Sequence, residues 1–243
     1  MIGKSDNRIL VAGASGAIGR RLCRLLVEAD WDVTGVTRSA EKAATLRAMG
    51  VTPVVVDVFD EEKLRRVVAE AGPAIVMHQL TDLPFGLDPA KMAEARIRNA
   101  RIRDMGTRNL IAAAIVSGVK RMIAQSIAFA YSPGAMPYRE DSSLNLNDPG
   151  MGFSARAVAS LEQQVMNAPF EGVVLRYGKL YGPGTGFNSP ESGGPVHVDA
   201  AADAARRALT RGRGVYNIAE EDGTVCSRKA MDELGWNPCF RIN

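Results

Sequence analysis

Three glycines spaced three residues apart constrain the fold of this chain more than any other feature of its sequence. Gly13, Gly16 and Gly19 follow the apolar run Arg8–Ala12 and open a segment whose apolar residues recur at helical spacing. A turn this tight requires residues that tolerate positive φ and leave the backbone N–H groups uncovered. The partial positive charge of the following helix N-terminus then favours an anion at the same point. The pattern therefore predicts a strand–turn–helix unit that binds a phosphate group.

The rest of the chain alternates short apolar runs with segments of helical period. Strands are predicted at Arg8–Ala12, Asp32–Thr37, Val54–Val56, Ala74–His78, Lys120–Ser126, Gly172–Arg176 and Gly214–Ile218. Helices are predicted at Ala17–Ala29, Ala40–Met49, Asp60–Ala71, Pro89–Gly118 with one break, Ser154–Asn167, Ala200–Leu209 and near Arg228–Leu234. Such alternation favours an α/β fold, with a parallel sheet between two layers of helices. We predict one Rossmann-type, doubly wound sheet of about six or seven strands over residues 1–243, with residues 177–243 contributing a reduced C-terminal annex.

The surroundings of the glycine loop predict what it binds. A strand precedes the loop and further βα units follow it, which is the context in which such a loop holds the pyrophosphate of a dinucleotide. The alternative is a merely structural βα turn. The predicted contacts within the loop are Gly13, Ser15, Gly16, Ala17, Ile18 and Gly19.

The end of the second strand indicates which dinucleotide to expect. NAD-binding domains usually place Asp or Glu there to hold the ribose hydroxyls, whereas this chain has Arg38 and Ser39. A guanidinium pairs well with a 2′-phosphate and a hydroxyl adds a donor, so the sequence predicts NADP(H), with NAD(H) less favoured. Two alternatives stay open. Arg38 can be a solvated surface arginine, and Asp57, which is placed to meet the adenine edge, can be a turn or capping residue.

Composition argues against several other classes of function. The chain has 243 residues, of which 30 are basic and 27 acidic, and a net charge of +3 is too balanced to indicate a nucleic-acid or membrane-surface partner. Three cysteines without a C-x-x-C pair indicate a reducing compartment, and two distant histidines argue against a His-based metal site. No signal peptide is recognised before Arg8, and no apolar run approaches a membrane span. We expect a cytoplasmic protein with a small-molecule substrate and no metal.

Motifs spread over residues 8–220 and just beyond carry a resemblance to a known family. They are the Gly13–Gly19 loop, Gly106–Leu110, Gln125-Ser126, Arg176–Gly184, Val196–Asp199, Val215–Ile218 and Leu234–Pro238. Together they resemble the extended and atypical short-chain dehydrogenase/reductase superfamily, in its NAD(P)-dependent epimerase/dehydratase branch. The resemblance implies a homodimer formed through the two long helices. Beyond the loop, the predicted cofactor contacts are Arg38, Ser39, Asp57, Val58, Gln79, Leu80 and Tyr177.

Two departures from the family pattern bear on the chemistry. Counting back from Glu162, the family's catalytic Tyr-x-x-x-Lys falls on Ser154 and Val158. A serine hydroxyl is too weak an acid to exchange protons near neutral pH without help, and valine carries no charge. In addition, the stretch that holds the substrate in relatives shrinks to Thr185–Pro195. The pocket is therefore expected to be shallow or closed by another subunit.

Three residues are predicted to take over the lost chemistry. Ser126 matches the family's active-site serine, Tyr131 can replace the proton donor, and Lys179 can serve as acid/base or anion anchor. Each has a structural alternative, as a strand-end serine, a loop tyrosine and a surface lysine. Arg103 matches a position near the nicotinamide where relatives commonly carry asparagine, but the arginines around it indicate a solvated helix face. His78, at the end of the fourth strand, is interpreted as a satisfied buried histidine.

Three hypotheses for the function follow from these features. The leading one is an NADP(H)-dependent oxidoreductase that acts on a small carbonyl, imine or enone. The second is a non-catalytic NADP(H)-binding sensor or partner protein. The third is a non-redox isomerase or lyase that reuses the fold. The loss of Tyr-x-x-x-Lys favours the second and third, whereas the retention of Ser126 and of the Arg176–Gly184 segment favours the first and third.

Overall fold

A single parallel sheet organises the molecule. The computed structural model describes residues 7–242, with the side chain of Phe85 left out. Its strands are β1 (Arg8–Ala12), β2 (Asp32–Thr37), β3 (Thr52–Val55), β4 (Ile75–His78), β5 (Arg121–Ile127), β6 (Glu171–Tyr177), β7 (Lys179–Tyr181), β8 (Pro195–His197) and β9 (Gly214–Ile218). Seven of them form one sheet in the order β3-β2-β1-β4-β5-β6-β9, with parallel pairing throughout. The predicted α/β, Rossmann-type architecture is confirmed.

Helices cover both faces of the sheet. They are α1 (Ala17–Val27), α2 (Ala40–Ala48), α3 (Glu61–Ala71), α4 (Met92–Arg101), α5 (Thr107–Val116), α6 (Gly152–Asn167) and α7 (Val198–Arg207). On one face, side chains of α1 and α7 such as Leu22, Leu26 and Ala201 are fully buried against the sheet. On the other face, α3, α5 and α6 bury residues such as Leu110 and Leu161. Each strand of the sheet centre is therefore buried on both sides, which explains its continuous apolar run.

The predicted long helix Pro89–Gly118 is a composite. Two short 3-10 turns, Phe85–Leu87 and Pro89–Lys91, lead into α4, and the π turn Ile102–Gly106 separates α4 from α5. This π turn is the break that the sequence predicts. A second π turn, Ala230–Leu234, stands where a last short helix is predicted.

The small parallel pair β7–β8 was not predicted. Its strands have three residues each and join Lys179 to Pro195, Leu180 to Val196 and Tyr181 to His197. Segments this short carry no readable periodicity, so the sequence indicated only a glycine-rich loop here. β9, which lies within the annex predicted for residues 177–243, forms an edge of the main sheet.

The strand order places a crevice at the glycine loop. The chain moves outward from β1 to β2 and β3, then returns to add β4 on the other side of β1. Loops that leave β1 and β4 therefore diverge at the carboxyl edge of the sheet, and ligands of such folds bind at this switch point. The Gly13–Gly19 loop leaves β1 at this point.

Candidate dinucleotide and substrate site

At two positions of the glycine loop, the backbone conformation or the close packing permits only glycine. Gly13 has a φ of +89°, and a Cβ atom there would lie 2.6 Å from the carbonyl carbon of Gln79. A Cβ atom on Gly19 would collide with the Gly13 carbonyl oxygen and lie 2.9 Å from Ala14. Gly16 caps α1 without a side-chain hydrogen bond, and the first turn of α1 contains no acidic residue. The N-terminal N–H groups of α1 are thus left for an anion, as a pyrophosphate site requires.

The end of β2 gathers the side chains predicted to select the dinucleotide. The Oγ of Ser15 lies 3.2 Å from the Oγ1 of Thr37. The Oγ of Ser39 caps α2 by accepting from the N–H of Lys42, so its hydroxyl hydrogen stays available to donate. The guanidinium of Arg38, about half of which is exposed, lies 3.1 Å from a carboxylate oxygen of Asp82. These groups face the carboxyl edge of the sheet beside the glycine loop.

Asp57 and Val58 follow β3 at the same edge. The Oδ1 of Asp57 accepts from the N–H of Phe59 at 3.0 Å, so the carboxylate closes a local turn and keeps its second oxygen exposed. Val58 is buried, and its carbonyl accepts from the Nδ2 of Asn109 at 3.0 Å. The turn role left open for Asp57 is therefore present, and it is compatible with a contact to the adenine edge.

Two buried polar side chains near the loop lack well-aligned hydrogen-bond partners. Both polar atoms of the Gln79 amide and the hydroxyl of Tyr177 are buried, and no well-aligned hydrogen bond satisfies them within residues 7–242, although the two side chains interact with one another. The two side chains lie close to one another, at the carboxyl ends of β4 and β6, and burial raises the pKa of the Tyr177 phenol. Buried polar groups left unpaired are rare and costly. A ligand that brings hydrogen-bonding groups to this edge would satisfy them, and the ribose and carboxamide of a dinucleotide fit that requirement.

The positions of the family's catalytic pair lie inside α6. Ser154 is 6% exposed and Val158 is fully buried. Glu162, one turn further along, forms a two-point ion pair with Arg176, with N···O distances of 2.8 and 2.7 Å. The Oγ of Ser126 donates to the same carboxylate at 2.7 Å. Ser126 is thus committed to a buried ion pair.

Tyr131 and Lys179 are also engaged. The Tyr131 hydroxyl donates to Asn217 at 2.5 Å and accepts from Arg176 at 2.9 Å, and burial raises the pKa of this phenol. The Nζ of Lys179 donates to the carbonyl of Ser192 at 2.8 Å on the surface. Ser126 and Tyr131 meet through Arg176, whereas Lys179 shares no contact with them. Their contacts favour the structural alternatives, and a catalytic role for these three residues stays a prediction.

Two residues of the site differ in how well the sequence anticipated them. His78 is fully buried; its Nδ1 accepts from the N–H of Leu80, and its Nε2 lies 2.9 Å from the Oγ1 of Thr107. It is the satisfied histidine that the sequence indicated. Arg103 was interpreted as part of a solvated helix face, but desolvation lowers the pKa of its guanidinium to about 10, against the raising effect of Glu162. The only available signal was an arginine at a position where relatives commonly carry asparagine.

Other features of the described residues do not compete with this site. A cavity of about 660 Å³ lies at the opposite, amino edge of the sheet, beside Lys120 and Glu171. Over residues 7–242 no group of three or more His, Cys, Asp or Glu side chains is arranged to hold a metal ion. Within the same range no helix is long and apolar enough to cross a membrane. Residues 1–6, in which no signal peptide was recognised, lie outside the described part.

Comparison with known proteins identifies the family. The model of the NAD dependent epimerase/dehydratase family matches residues 9–194. The chain belongs to this family. Among curated relatives, a Streptomyces protein named 3-diazoavenalumate denitrifying reductase is 38% identical over 248 aligned positions, covering 93% of this chain and 76% of the relative. A protein of Stigmatella aurantiaca, named 4-hydroxy-2-methyl-3-oxo-4-farnesyl-3,4-dihydroquinoline-1-oxide ketoreductase, is 30% identical over an alignment covering 72% of this chain and 51% of the relative.

Solved structures at low sequence identity share the fold. The UDP-glucose 4-epimerase of Thermotoga maritima superposes with a TM-score of 0.77 at 20% identity, covering 96% of this chain and 94% of the epimerase. The UDP-glucose 4-epimerase of Thermus thermophilus, solved in complex with NAD, gives a TM-score of 0.76 at 20% identity and covers 97% and 95%. The family is nicotinamide-dinucleotide dependent, and both curated relatives described above are named as reductases.

Proposed function

We propose that this protein is an NADP(H)-dependent reductase that delivers a hydride to a small conjugated carbonyl, imine or diazo compound. One observation carries the proposal: the dinucleotide edge is intact, while buried Ser154 and Val158 stand where relatives hold the catalytic tyrosine and lysine. The two curated relatives described above are both named as reductases. These features support a chain that binds the hydride donor but has lost the family's own proton donor for an alkoxide.

The missing acid restricts the class of substrate. When bound, the reduced nicotinamide supplies a hydride, that is, a hydrogen with two electrons. A simple ketone that accepts a hydride becomes an alkoxide, which needs a nearby acid during the transfer. A conjugated carbonyl spreads the new electron pair over an enolate, which water protonates afterwards, and an arenediazonium forms a C–H bond while dinitrogen leaves. Neither acceptor requires a proton from Ser154 or Val158, and an imine meets the same condition when it reacts as the already protonated iminium ion, which becomes a neutral amine.

Hydride transfer is tested with NADPH that carries deuterium at C4. We expect enzyme-dependent transfer of deuterium to carbon in at least one member of a panel of enones, imines and aryl diazo compounds. Simple ketones are expected to react at least tenfold more slowly, a difference of about 1.4 kcal/mol in barrier height. Mass spectrometry of the products measures the label, and reactions without protein correct for spontaneous reduction. Tight NADPH binding with no transfer to any acceptor would instead favour the non-catalytic sensor.

The preference for NADP(H) rests on Arg38 and its neighbours. The carboxylate of Asp82 lies 3.1 Å from Arg38 and 3.3 Å from Arg98, and Arg98 also pairs with Glu94 at 3.5 Å. About half of the Arg38 side chain remains exposed to a bound anion. The hydroxyl of Ser39 adds a donor next to this guanidinium. A dianionic 2′-phosphate fits such a group better than two ribose hydroxyls do.

Replacing Arg38 with alanine is expected to erase the discrimination between the two dinucleotides. Wild-type protein should bind NADPH at least tenfold more tightly than NADH, and Arg38→Ala should bind both within about threefold, because the phosphate loses its charged partner. Calorimetric titration of each variant with each dinucleotide measures the ratio. Arg47→Ala, at the far end of α2, is the matched control and should keep the wild-type ratio. An unchanged ratio in Arg38→Ala would contradict the assignment.

The remaining expectations of the sequence stay predictions. Exposed apolar side chains on the helices named for dimerisation, Ile97 on α4 and Phe153 on α6, support the proposed homodimer. A second subunit would also supply the cover that the short segment 185–195 does not. The cytoplasmic location and the assignment of residues 1–243 to one domain rest on sequence features alone.

A further inference from the structure

Arg103 is the charged side chain near the site that the proposed function leaves unused. It lies in the π turn Ile102–Gly106, between α4 and α5, and is half-buried. Within residues 7–242 its guanidinium makes no hydrogen bond and no ion pair. The turn is fixed against the end of β3, because a Cβ atom on Gly106 would lie 3.1 Å from a methyl group of Val58. Single π turns inside helices frequently mark functional sites.

Two neighbours on different elements locate the guanidinium. Burial lowers the pKa of Arg103 to about 10, while the negative charge of Glu162 on α6 raises it. Burial lowers the pKa of His78 to about 4, and the positive charge of Arg103 lowers it too. The contacts of the turn give the same location, because Asp104 accepts from the Oγ of Ser160 on α6 at 2.7 Å and the Oγ1 of Thr107 lies 2.9 Å from the Nε2 of His78. Arg103 therefore lies between the end of β4 and α6. His78 precedes Gln79, whose carbonyl touches Gly13, and Val158 lies one helical turn from Glu162.

A count of charges shows that the positive charge of Arg103 is not compensated. The carboxylate of Glu162 is occupied by Arg176 and Ser126, so Glu162 and Arg176 neutralise one another. The low pKa of His78 keeps its imidazole neutral at physiological pH. The carboxylate of Asp104, the next residue, receives hydrogen bonds from Ser160 and Arg108. One net positive charge remains, and a desolvated charge without a partner is unfavourable.

We propose that Arg103 binds a negatively charged group of the substrate, a carboxylate or phenolate, next to the carbon that receives the hydride. The inference rests on the proposed function and names the substrate class more closely. The dinucleotide would not supply this anion, because the glycine loop is the site proposed for its pyrophosphate and its nicotinamide ribose is neutral. A guanidinium binds a carboxylate through two parallel hydrogen bonds, which gives both charge and orientation.

The test compares matched acids and amides in complexes with NADP⁺. Benzoate with benzamide, cinnamate with cinnamamide, and phenylacetate with phenylacetamide differ mainly in charge. Ligand-observed NMR titration measures their affinities for wild type, Arg103→Gln, Arg103→Lys and the exposed control Arg96→Gln. We expect wild type and Arg96→Gln to bind the acid of at least one pair tenfold more tightly than its amide. Arg103→Gln should reduce this ratio to about twofold or less, and Arg103→Lys should retain part of it.

The controls separate the possible failures. Calorimetry should show that Arg103→Gln binds NADPH within threefold of wild type, and thermal melting should show that it is folded. A ratio that persists in Arg103→Gln, or no discrimination in any pair by wild type, would overturn the assignment of Arg103 alone. Loss of NADPH binding in folded Arg103→Gln would assign the guanidinium to the cofactor and overturn it as well. A wild-type chain that binds no dinucleotide would overturn the proposed function.

Discussion

Replacing Arg176 with methionine is expected to destabilise the protein by about 3–5 kcal/mol, because the Glu162 carboxylate is then left buried without its cation. Arg176 is 5% exposed and holds Glu162 through two hydrogen bonds, at 2.7 and 2.8 Å. It also donates to the Tyr131 hydroxyl at 2.9 Å, so the substitution removes one of the two hydrogen bonds of that hydroxyl. The free energy of unfolding from denaturant titration measures the loss.

A double variant distinguishes the ion pair from simple packing. Adding Glu162→Leu to Arg176→Met removes the orphaned charge, so the double variant should be more stable than Arg176→Met alone. The exposed pair Arg66–Glu62, with an N···O distance of 3.7 Å, provides the surface control, and Arg66→Met should change stability by less than about 1 kcal/mol. Equal losses of unfolding free energy in Arg176→Met and Arg66→Met would show that the buried ion pair contributes no more to stability than the exposed one.

Replacing Gly19 with alanine is expected to weaken NADPH binding at least a hundredfold, about 2.8 kcal/mol. The new methyl group would collide with the Gly13 carbonyl oxygen and lie 2.9 Å from Ala14. Both of these contacts are with backbone atoms, so the loop itself must move. Its N–H groups would then no longer point toward the pyrophosphate. Titration that follows the fluorescence of the reduced nicotinamide measures the affinity.

The matched control for this substitution is Gly150→Ala. A Cβ atom there would meet only a carboxylate oxygen of Asp148, at 3.5 Å, and the residue lies far along the chain from the loop. This variant should bind NADPH as wild type does, and circular dichroism should show that both variants are folded. Wild-type affinity in Gly19→Ala would mean that the dinucleotide does not use this loop.

Local sequence patterns were sufficient for the fold. The glycine spacing, the apolar runs and the helical periods each report on neighbours along the chain, and they predicted all seven strands of the main sheet to within a few residues. The pair β7–β8 was missed because strands of three residues have no measurable period. The π turn Ile102–Gly106 was seen only as a break, since its geometry depends on packing against Val58.

The candidate site was predictable only where it uses local motifs. The glycine loop and Arg38 could be predicted because they directly follow the first and second strands. The contacts of Ser126 join it to Glu162, 36 residues away, and those of Tyr131 join it to Asn217, 86 residues away. A single sequence contains no pattern that reports such distant pairings. The hydroxyls of Ser126 and Tyr131 were therefore expected to be free, whereas in the structure both form buried hydrogen bonds. Arg103 was missed for the same reason, because its desolvation comes from α6 and β4 rather than from its own helix.

Calorimetric titration of the wild-type protein with NADPH most directly tests the central claim, that this chain binds a nicotinamide dinucleotide. We expect one binding site per chain, because the poorly paired, buried Gln79 and Tyr177 groups and the uncapped start of α1 converge on a single edge of the sheet. We also expect that NADH binds at least tenfold more weakly. A folded protein that binds neither dinucleotide would contradict the account and make the Gly13–Gly19 loop a structural turn.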